Sequence, residues 1–401
     1  MADQSSEKRL ISPQAEYLTA ADAMSMLGVS AQTLYAYVSR KGLRTKPVPG
    51  SRQRLYWKDD IERLMQKKAP AQHDAIFSQN STLTLITEDA LFYRGRNVAE
   101  LAEHASLETV ASLLWGCDEA STFIDKAPQA PALWSELERL FRDQSPVNRA
   151  TALFPLLEEA NPRAYDLSHA GMARTGADIL RWMAAITVNA PLPTTEPIHQ
   201  MVARCLKLSP LGSEVVRRIL VLSADHGFEA SVVVVRTLAS SGVTPWRALV
   251  GGLAVSTGRH TKFSHIESMG RLIHEIIGSS DPRGVIVRRA QVGDELKGFN
   301  SDVYAHGDPR ARALLAFCAE AFHDDPRYQR LLEALATVKE IQDREPAFAF
   351  MCAVACILVG MEARASVFQL GRATGWIAHA IEQYQSGDLK RQRGNYRGPL
   401  P

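Results

Sequence analysis

The chain has 401 residues, of which 46% are hydrophobic and 22% charged, with a formal net charge of +2. That length calls for two or three domains, and that balance fits a globular protein and excludes a disordered or collagen-like chain. No apolar run reaches transmembrane length, and the polar start Met1–Arg9 lacks the apolar stretch of a signal peptide. Cys117, Cys205, Cys318, Cys352 and Cys356 are scattered and form no CxxC pair, so reduced thiols, a cytoplasmic setting and no membrane partner are expected.

The charge is unevenly placed. Residues 1–70 hold 12 Lys and Arg against 7 Asp and Glu, whereas the rest of the chain holds 34 against 37. A basic first segment on a near-neutral body points to the N-terminus as the end that meets phosphates.

In chain order, residues 1–16 are polar and are expected to be disordered. Residues 17–66 form a block with helical periodicity, and 67–79, opening on Lys67-Lys68-Ala69-Pro70, read as a linker. From residue 80 to 399 the pattern is almost wholly helical. Leu101, Ala105, Val110, Leu113 and Leu114 recur at helical spacing, as do Val216, Ile219, Leu220 and Leu222. Leu83-Thr84-Leu85-Ile86-Thr87 predicts a short strand. Ser231-Val232-Val233-Val234-Val235 runs on into Arg236-Thr237-Leu238-Ala239 and predicts a buried helix despite its valines. The chain has no GxGxxG, P-loop, HExxH or GxSxG motif. His260 and His265 lack Cys or carboxylate partners at ligand spacing, so no metal is expected.

Within 17–66, Thr19 is placed to cap a first helix opening on Ala20-Ala21-Asp22-Ala23, and Gly28 suits the tight turn after it. Ser30 caps a second helix over Ala31–Arg40, with Leu34 and Val38 facing inward. Pro49-Gly50-Ser51-Arg52-Gln53-Arg54 forms a basic hairpin, and Asp59-Asp60 opens a closing helix containing Ile61 and Leu64. This order resembles the winged helix-turn-helix of the MerR and excisionase type. The resemblance implies DNA binding, with Gln32, Thr33 and Tyr35 at base edges and Arg40, Arg52 and Arg54 on phosphates. The same fold also serves for protein docking.

Downstream, Leu91-Phe92-Tyr93-Arg94-Gly95 with Glu100-Leu101-Ala102, Ala224-Asp225-His226, Gly307-Asp308-Pro309-Arg310 and Gly371-Arg372-Ala373-Thr374-Gly375-Trp376 follow one another in the order of the citrate synthases, which these segments resemble. The resemblance covers residues 80–399. It implies a mostly α body with a large and a small subdomain, and a dimer, either of this chain or with another citrate-synthase-like chain. It also implies a site that condenses acetyl-CoA, as co-substrate rather than resident cofactor, with oxaloacetate in the tricarboxylic acid cycle.

That chemistry needs a base, donors that hold an enolate, and cations that hold carboxylates. The resemblance assigns the substrate clamp to His226, Arg310, Arg372 and Arg391. Its catalytic positions are altered. Ser301 stands where the family polarises a carbonyl with His, and Ala347 stands where it has the catalytic Asp. The enolate-stabilising His corresponds to Thr261 without a gap, or to His260 with one residue deleted. Lys262 and Phe263 replace two glycines. Asp343 and Glu345 are the nearest substitutes for the base. The leading expectation is a catalytically impaired homologue that binds a di- or tricarboxylate and couples that binding to DNA or to a partner. The alternatives are an active citrate or 2-methylcitrate synthase, and an accessory subunit that lends Arg391 to an intact synthase.

Overall fold

The computed structural model describes residues 17–51, 53–68, 80–259, 265–299, 303–304, 306–362 and 365–387. The expectations for residues 1–16 and 69–79, and for Arg52, His260, Thr261, Ser301 and Arg391, lie outside them, as does the side chain of Arg40. The chain divides into two compact units, the first ending at Asn80 and the second beginning at Ser81.

In the first unit, Thr19 caps the helix Ala20–Leu27 by accepting the Asp22 N–H at 3.2 Å, and Ser30 caps Ala31–Lys41 by accepting the Thr33 N–H at 3.3 Å. Gly28 sits between them in the left-handed region at φ 60°, where a side chain would be strained. A three-stranded antiparallel sheet follows, with Arg54–Trp57 between Tyr17–Leu18 and Thr45–Pro47. The closing helix Lys58–Lys68 packs on the first helix and the central strand. Lys67 and Lys68, expected in the linker, belong to that helix, because nothing in their sequence stops it before Pro70. The small core is Ala23, Leu27, Leu34, Leu43, Tyr56 and Ile61. Beside it, buried Asp60 holds Arg44 with Oδ1 2.9 Å from one guanidinium nitrogen.

The second unit opens on a small sheet in which Thr84–Ile86 pairs with Leu91–Tyr93, and Leu91–Tyr93 with Arg96–Asn97, all antiparallel. Helices then dominate. The apolar series from Leu101 to Leu114 lies on two helices, Val98–His104 and Leu107–Trp115, because Ser106 breaks the run and caps the second. The valine-rich segment is helical, Ala230–Ser240. At the centre of this unit, Ala365–Ser386 packs against His169–Thr187, Pro210–Ser223, Ala230–Ser240 and Pro245–Ser256.

Two glycines set how closely that helix approaches its neighbours. A Cβ on Gly371 would lie 2.1 Å from Ser223 Oγ and 2.7 Å from the Leu220 carbonyl. One on Gly375 would lie 2.4 Å from both the Ala224 carbonyl and Asp225 Oδ1. Instead, the Gly375 N–H donates to the Ala224 carbonyl at 2.9 Å. Arg372, between the two glycines, is thereby set against the turn that carries Asp225 and His226. Gly375→Ala forces backbone apart rather than a flexible side chain, so it should cost roughly 1–3 kcal/mol, as overpacking does. Urea unfolding measures this; an unchanged midpoint would show that the crossing has slack.

Candidate functional site

Pro210–Ser223 ends where Ala224 caps it, and Asp225-His226-Gly227 turns the chain into Ala230–Ser240. Asp225 is fully buried. A buried carboxylate is tolerable only when it is surrounded by donors and cations. Thr84 donates to Oδ2 at 2.5 Å and the Gly227 N–H to the same oxygen at 2.9 Å. On the other side, His379 Nε2 stands 3.4 Å and Arg372 3.9 Å from Oδ1. Tyr93 Oη accepts the Asp225 N–H and donates to the Asp225 carbonyl, both at 3.0 Å. Burial pushes the Asp225 carboxyl up, but His379, Arg372 and the Thr84 hydroxyl outweigh it and hold the group well below the usual carboxylate range.

Around this turn stand the expected clamp residues. His226, Arg310 and Arg372 are all buried. Arg310 lies in the first turn of Pro309–Ala321, where Asp308 caps the helix and takes the guanidinium in a fork, Nε at 3.0 Å and NH2 at 2.7 Å. Phe348 backs that guanidinium at 4.6 Å, and Phe368 backs that of Arg372 at 5.1 Å. Both arginines keep unused donors. Arg310 NH1 and all three guanidinium nitrogens of Arg372 are buried without a hydrogen-bond partner. Orphaned buried N–H groups on a cation cost free energy unless an acceptor reaches them, and a planar carboxylate is the acceptor whose geometry matches.

His226 is held at both ring nitrogens, Nδ1 3.0 Å from Glu229 Oε1 and Nε2 2.9 Å from Tyr304 Oη. Burial pushes the His226 ring down, with Arg310 adding to the effect and Glu229 opposing it, which favours the neutral ring. Burial pushes the Tyr304 hydroxyl up to about 12, so it stays protonated. Glu229 is open to solvent, its side chain 42% exposed, with Oε1 3.7 Å from Arg372. Against the effect of burial, Arg372 and His226 hold its carboxyl down to about 2.

Ala347 begins Phe348–Leu358, directly before the phenylalanine that backs Arg310. Its N–H donates to the Gly298 carbonyl at 2.8 Å. The candidate substitute bases turn elsewhere. Asp343 and Glu345 both pair with Lys339, at 2.6 and 3.1 Å, and Asp343 is largely exposed.

The sequence reading named His226, Arg310 and Arg372, and these three surround one turn. It did not name Glu229, Tyr304, His379 or Asp308 as part of the site. The spacing of Glu229, three residues after His226, and of Asp308, two residues before Arg310, were local signals. Tyr304 and His379 arrive through tertiary packing.

In the first unit, Gln32 is exposed and Tyr35 is 61% exposed on the second helix, consistent with a free face. Thr33 is partly buried, with its hydroxyl 3.0 Å from Ser30 Oγ at the cap. Arg54 is exposed on the central strand and donates to Thr45 Oγ1 at 3.2 Å.

Asp225 and Glu229 both titrate below their unfolded values of about 4. The stability they contribute is therefore complete above that range and is lost as pH falls through it. His226, whose ring is pushed down, adds a loss that begins below about 6.5, where the unfolded ring protonates first. Asp225→Asn should cost about 3–5 kcal/mol at neutral pH. It should also flatten the fall in urea midpoint between about pH 5 and 3 relative to the unaltered chain. Parallel pH profiles would show that Asp225 contributes nothing by its charge.

The family model described as citrate synthase, C-terminal domain, matches residues 74–393, and one described as helix-turn-helix domain matches residues 17–69. Citrate synthase 2 of Bacillus subtilis is 23% identical over 81% of this chain and 95% of its own length. The 2-methylcitrate synthase of Shewanella oneidensis is 26% identical over 79% of this chain and 91% of its own. Among solved structures, the Thermoplasma acidophilum citrate synthase in ternary complex with carboxymethyl coenzyme A and oxaloacetate superposes with a TM-score of 0.67. It is 18% identical and covers 84% of this chain and 96% of that one.

Proposed function

This chain belongs to the citrate synthase family, and we propose that within it the chain serves as a carboxylate-responsive DNA-binding protein rather than as a synthase. One observation carries the reading. Two buried arginines, Arg310 forked onto Asp308 and Arg372 3.9 Å from Asp225, keep four guanidinium nitrogens without a hydrogen-bond partner, and we read these as facing one pocket. The pocket is organised to hold a carboxylate. The groups that would convert one are not retained, because Ala347 and Ser301 carry neither base nor cationic acid. Acetyl-CoA is a co-substrate only under the competing reading of an active citrate or 2-methylcitrate synthase. A third reading is an accessory subunit that lends Arg391 to an intact synthase. In each, the body pairs as a dimer, with itself or with another citrate-synthase-like chain, and Arg391 completes the clamp.

Without a general base a reaction of this kind loses about 10²–10⁴-fold. CoA-thiol release from acetyl-CoA and oxaloacetate should therefore fall far below the usual enzyme range, on the order of 1–10³ s⁻¹. Ala347→Asp alone should restore little, because Ser301 and Lys262 remain. Turnover inside that range would return the protein to the synthases. An occupied site stabilises the folded state by mass action. Within a panel of mono-, di- and tricarboxylates, at least one should raise the melting temperature, and Arg372→Ala should abolish the rise. No shift with any of them would make the arginines structural.

For the N-terminal domain, the exposed second helix and the basic wing support DNA as the partner. Affinity for duplex should fall steeply with salt as counterions are released. Replacing Arg52 and Arg54 should weaken all sequences about equally, whereas Gln32→Ala should change the preference among them. A mobility shift of the full chain at low salt, with selected and random duplexes, tests this. Retention of neither would make the domain a docking module and favour the accessory-subunit reading.

A further inference from the structure

Ser81 is the first residue of the second unit, so whatever fastens residues 81–86 also holds one end of the segment that joins the two units. They are fastened at two points. Thr84 donates its hydroxyl to Asp225 Oδ2 at 2.5 Å, in the turn that carries His226. Ile86 covers the same turn, since a Cβ on Gly227 would lie 3.4 Å from its Cδ1. Nearer the joint, Thr82 donates its N–H at 2.7 Å and its hydroxyl at 3.0 Å to Glu382 Oε1, near the end of the central helix. Thr82 is exposed and lies outside the strand ladder that begins at Thr84.

Charged groups join the two points inside the unit. Arg236 NH1 donates to Glu382 Oε2 at 2.6 Å and to His379 Nδ1 at 3.3 Å. With Nδ1 accepting, the proton of the neutral ring is on Nε2, which stands 3.4 Å from Asp225 Oδ1. Arg236, His379 and Asp225 are all buried, and Arg372 comes within 3.9 Å of the same Asp225 oxygen. Burial pushes the Glu382 carboxyl up, but the Thr82 N–H, Arg236 and the Ser81 and Thr82 hydroxyls outweigh it and hold the group below its ordinary value. In so dry a line of groups, a change of charge beside one member is felt by the others.

Resting on the reading of a carboxylate site beside Asp225, we infer that residues 81–86 are a strap through which occupancy of that site acts on the joint between the two units, with Glu382 as the positioning residue at its far end. A ligand carboxylate on the unpartnered donors of Arg372 competes for the guanidinium that approaches Asp225. Asp225 then depends more on Thr84 and His379, and the strap is held more firmly at both points. A firmer strap leaves the joint fewer arrangements, and a restriction of that kind lets a ligand favour one state of a two-part molecule over another.

The test compares the unaltered full chain with Glu382→Gln and Thr82→Pro. The first removes the charge that pairs with Arg236. The second removes both donors of Thr82 and leaves that buried pair intact, so one variant stays informative if circular dichroism shows the other unfolded. Amide hydrogen exchange of residues 81–86 and the dissociation constant for the selected duplex are each measured with and without a saturating amount of the carboxylate that most raises the melting temperature. In the unaltered chain the carboxylate should slow exchange in 81–86 by about threefold or more. It should also change duplex affinity by about fivefold or more. In both variants the rise in melting temperature should persist, while the change in duplex affinity falls below about twofold and exchange in 81–86 no longer slows. A change in duplex affinity that survives in a folded variant, or exchange in 81–86 that ignores the carboxylate in the unaltered chain, overturns the inference and leaves the carboxylate site and the DNA-reading domain standing. An unaltered chain that binds no carboxylate or no duplex, or whose duplex affinity ignores a bound carboxylate, overturns the carboxylate-responsive reading and the inference together.

Discussion

A carboxylate buried with no exposure to water must be surrounded or it does not stay charged, and Asp225 is the group for which this unit makes that arrangement. Thr84 reaches it from the first strand, Tyr93 from the second, and His379 and Arg372 from the central helix. The central helix comes near enough only because Gly371 and Gly375 leave no Cβ between it and the Leu220–Asp225 backbone. The strands, the turn and the helix thus converge on one ionised group. The guanidinium of Arg372 comes within 3.9 Å of that group, and none of its three nitrogens has a hydrogen-bond partner. Arg310 repeats the device, forked onto Asp308 with one nitrogen left over. Because Asp308 fixes Arg310 before any ligand arrives, little ordering of that side chain remains to oppose binding.

Holding a ligand and converting it require different things. Conversion needs interactions that strengthen in the transition state, supplied by a base and by donors aimed at developing charge. Here the start of Phe348–Leu358 carries the methyl group of Ala347, and the nearby acids are engaged with Lys339. On the proposed reading, what remains is a ground-state site. A ground-state site with a helix-turn-helix on the same chain becomes useful if occupancy of one changes the affinity of the other. Such coupling requires the ligand to favour one arrangement of the molecule over another, and it must act equally in both directions.

Much of this was visible in the residues alone. Thr19, Gly28 and Ser30 mark the ends of the first two helices by their own chemistry, since capping and left-handed turns are local events. The valines of 231–235 were legible as helix because their apolar run continued at helical spacing. The helix ending at Lys68 was less so, since two lysines before a proline read equally as the end of a helix or as linker. In the site, His226, Arg310 and Arg372 sit in recognisable segments. Glu229, Tyr304 and His379 do not, because what makes them important is what folding brings beside them.

The claim that a carboxylate pocket and a DNA-reading domain act together is tested most directly by one measurement. It is the dissociation constant of the full chain for its selected duplex, at one fixed salt concentration, with and without a saturating amount of the carboxylate that most raises its melting temperature. The account predicts a change of about fivefold or more, in the range typical of coupled sites, that disappears in Arg372→Ala. Equal affinities, with both ligands demonstrably bound, would contradict it.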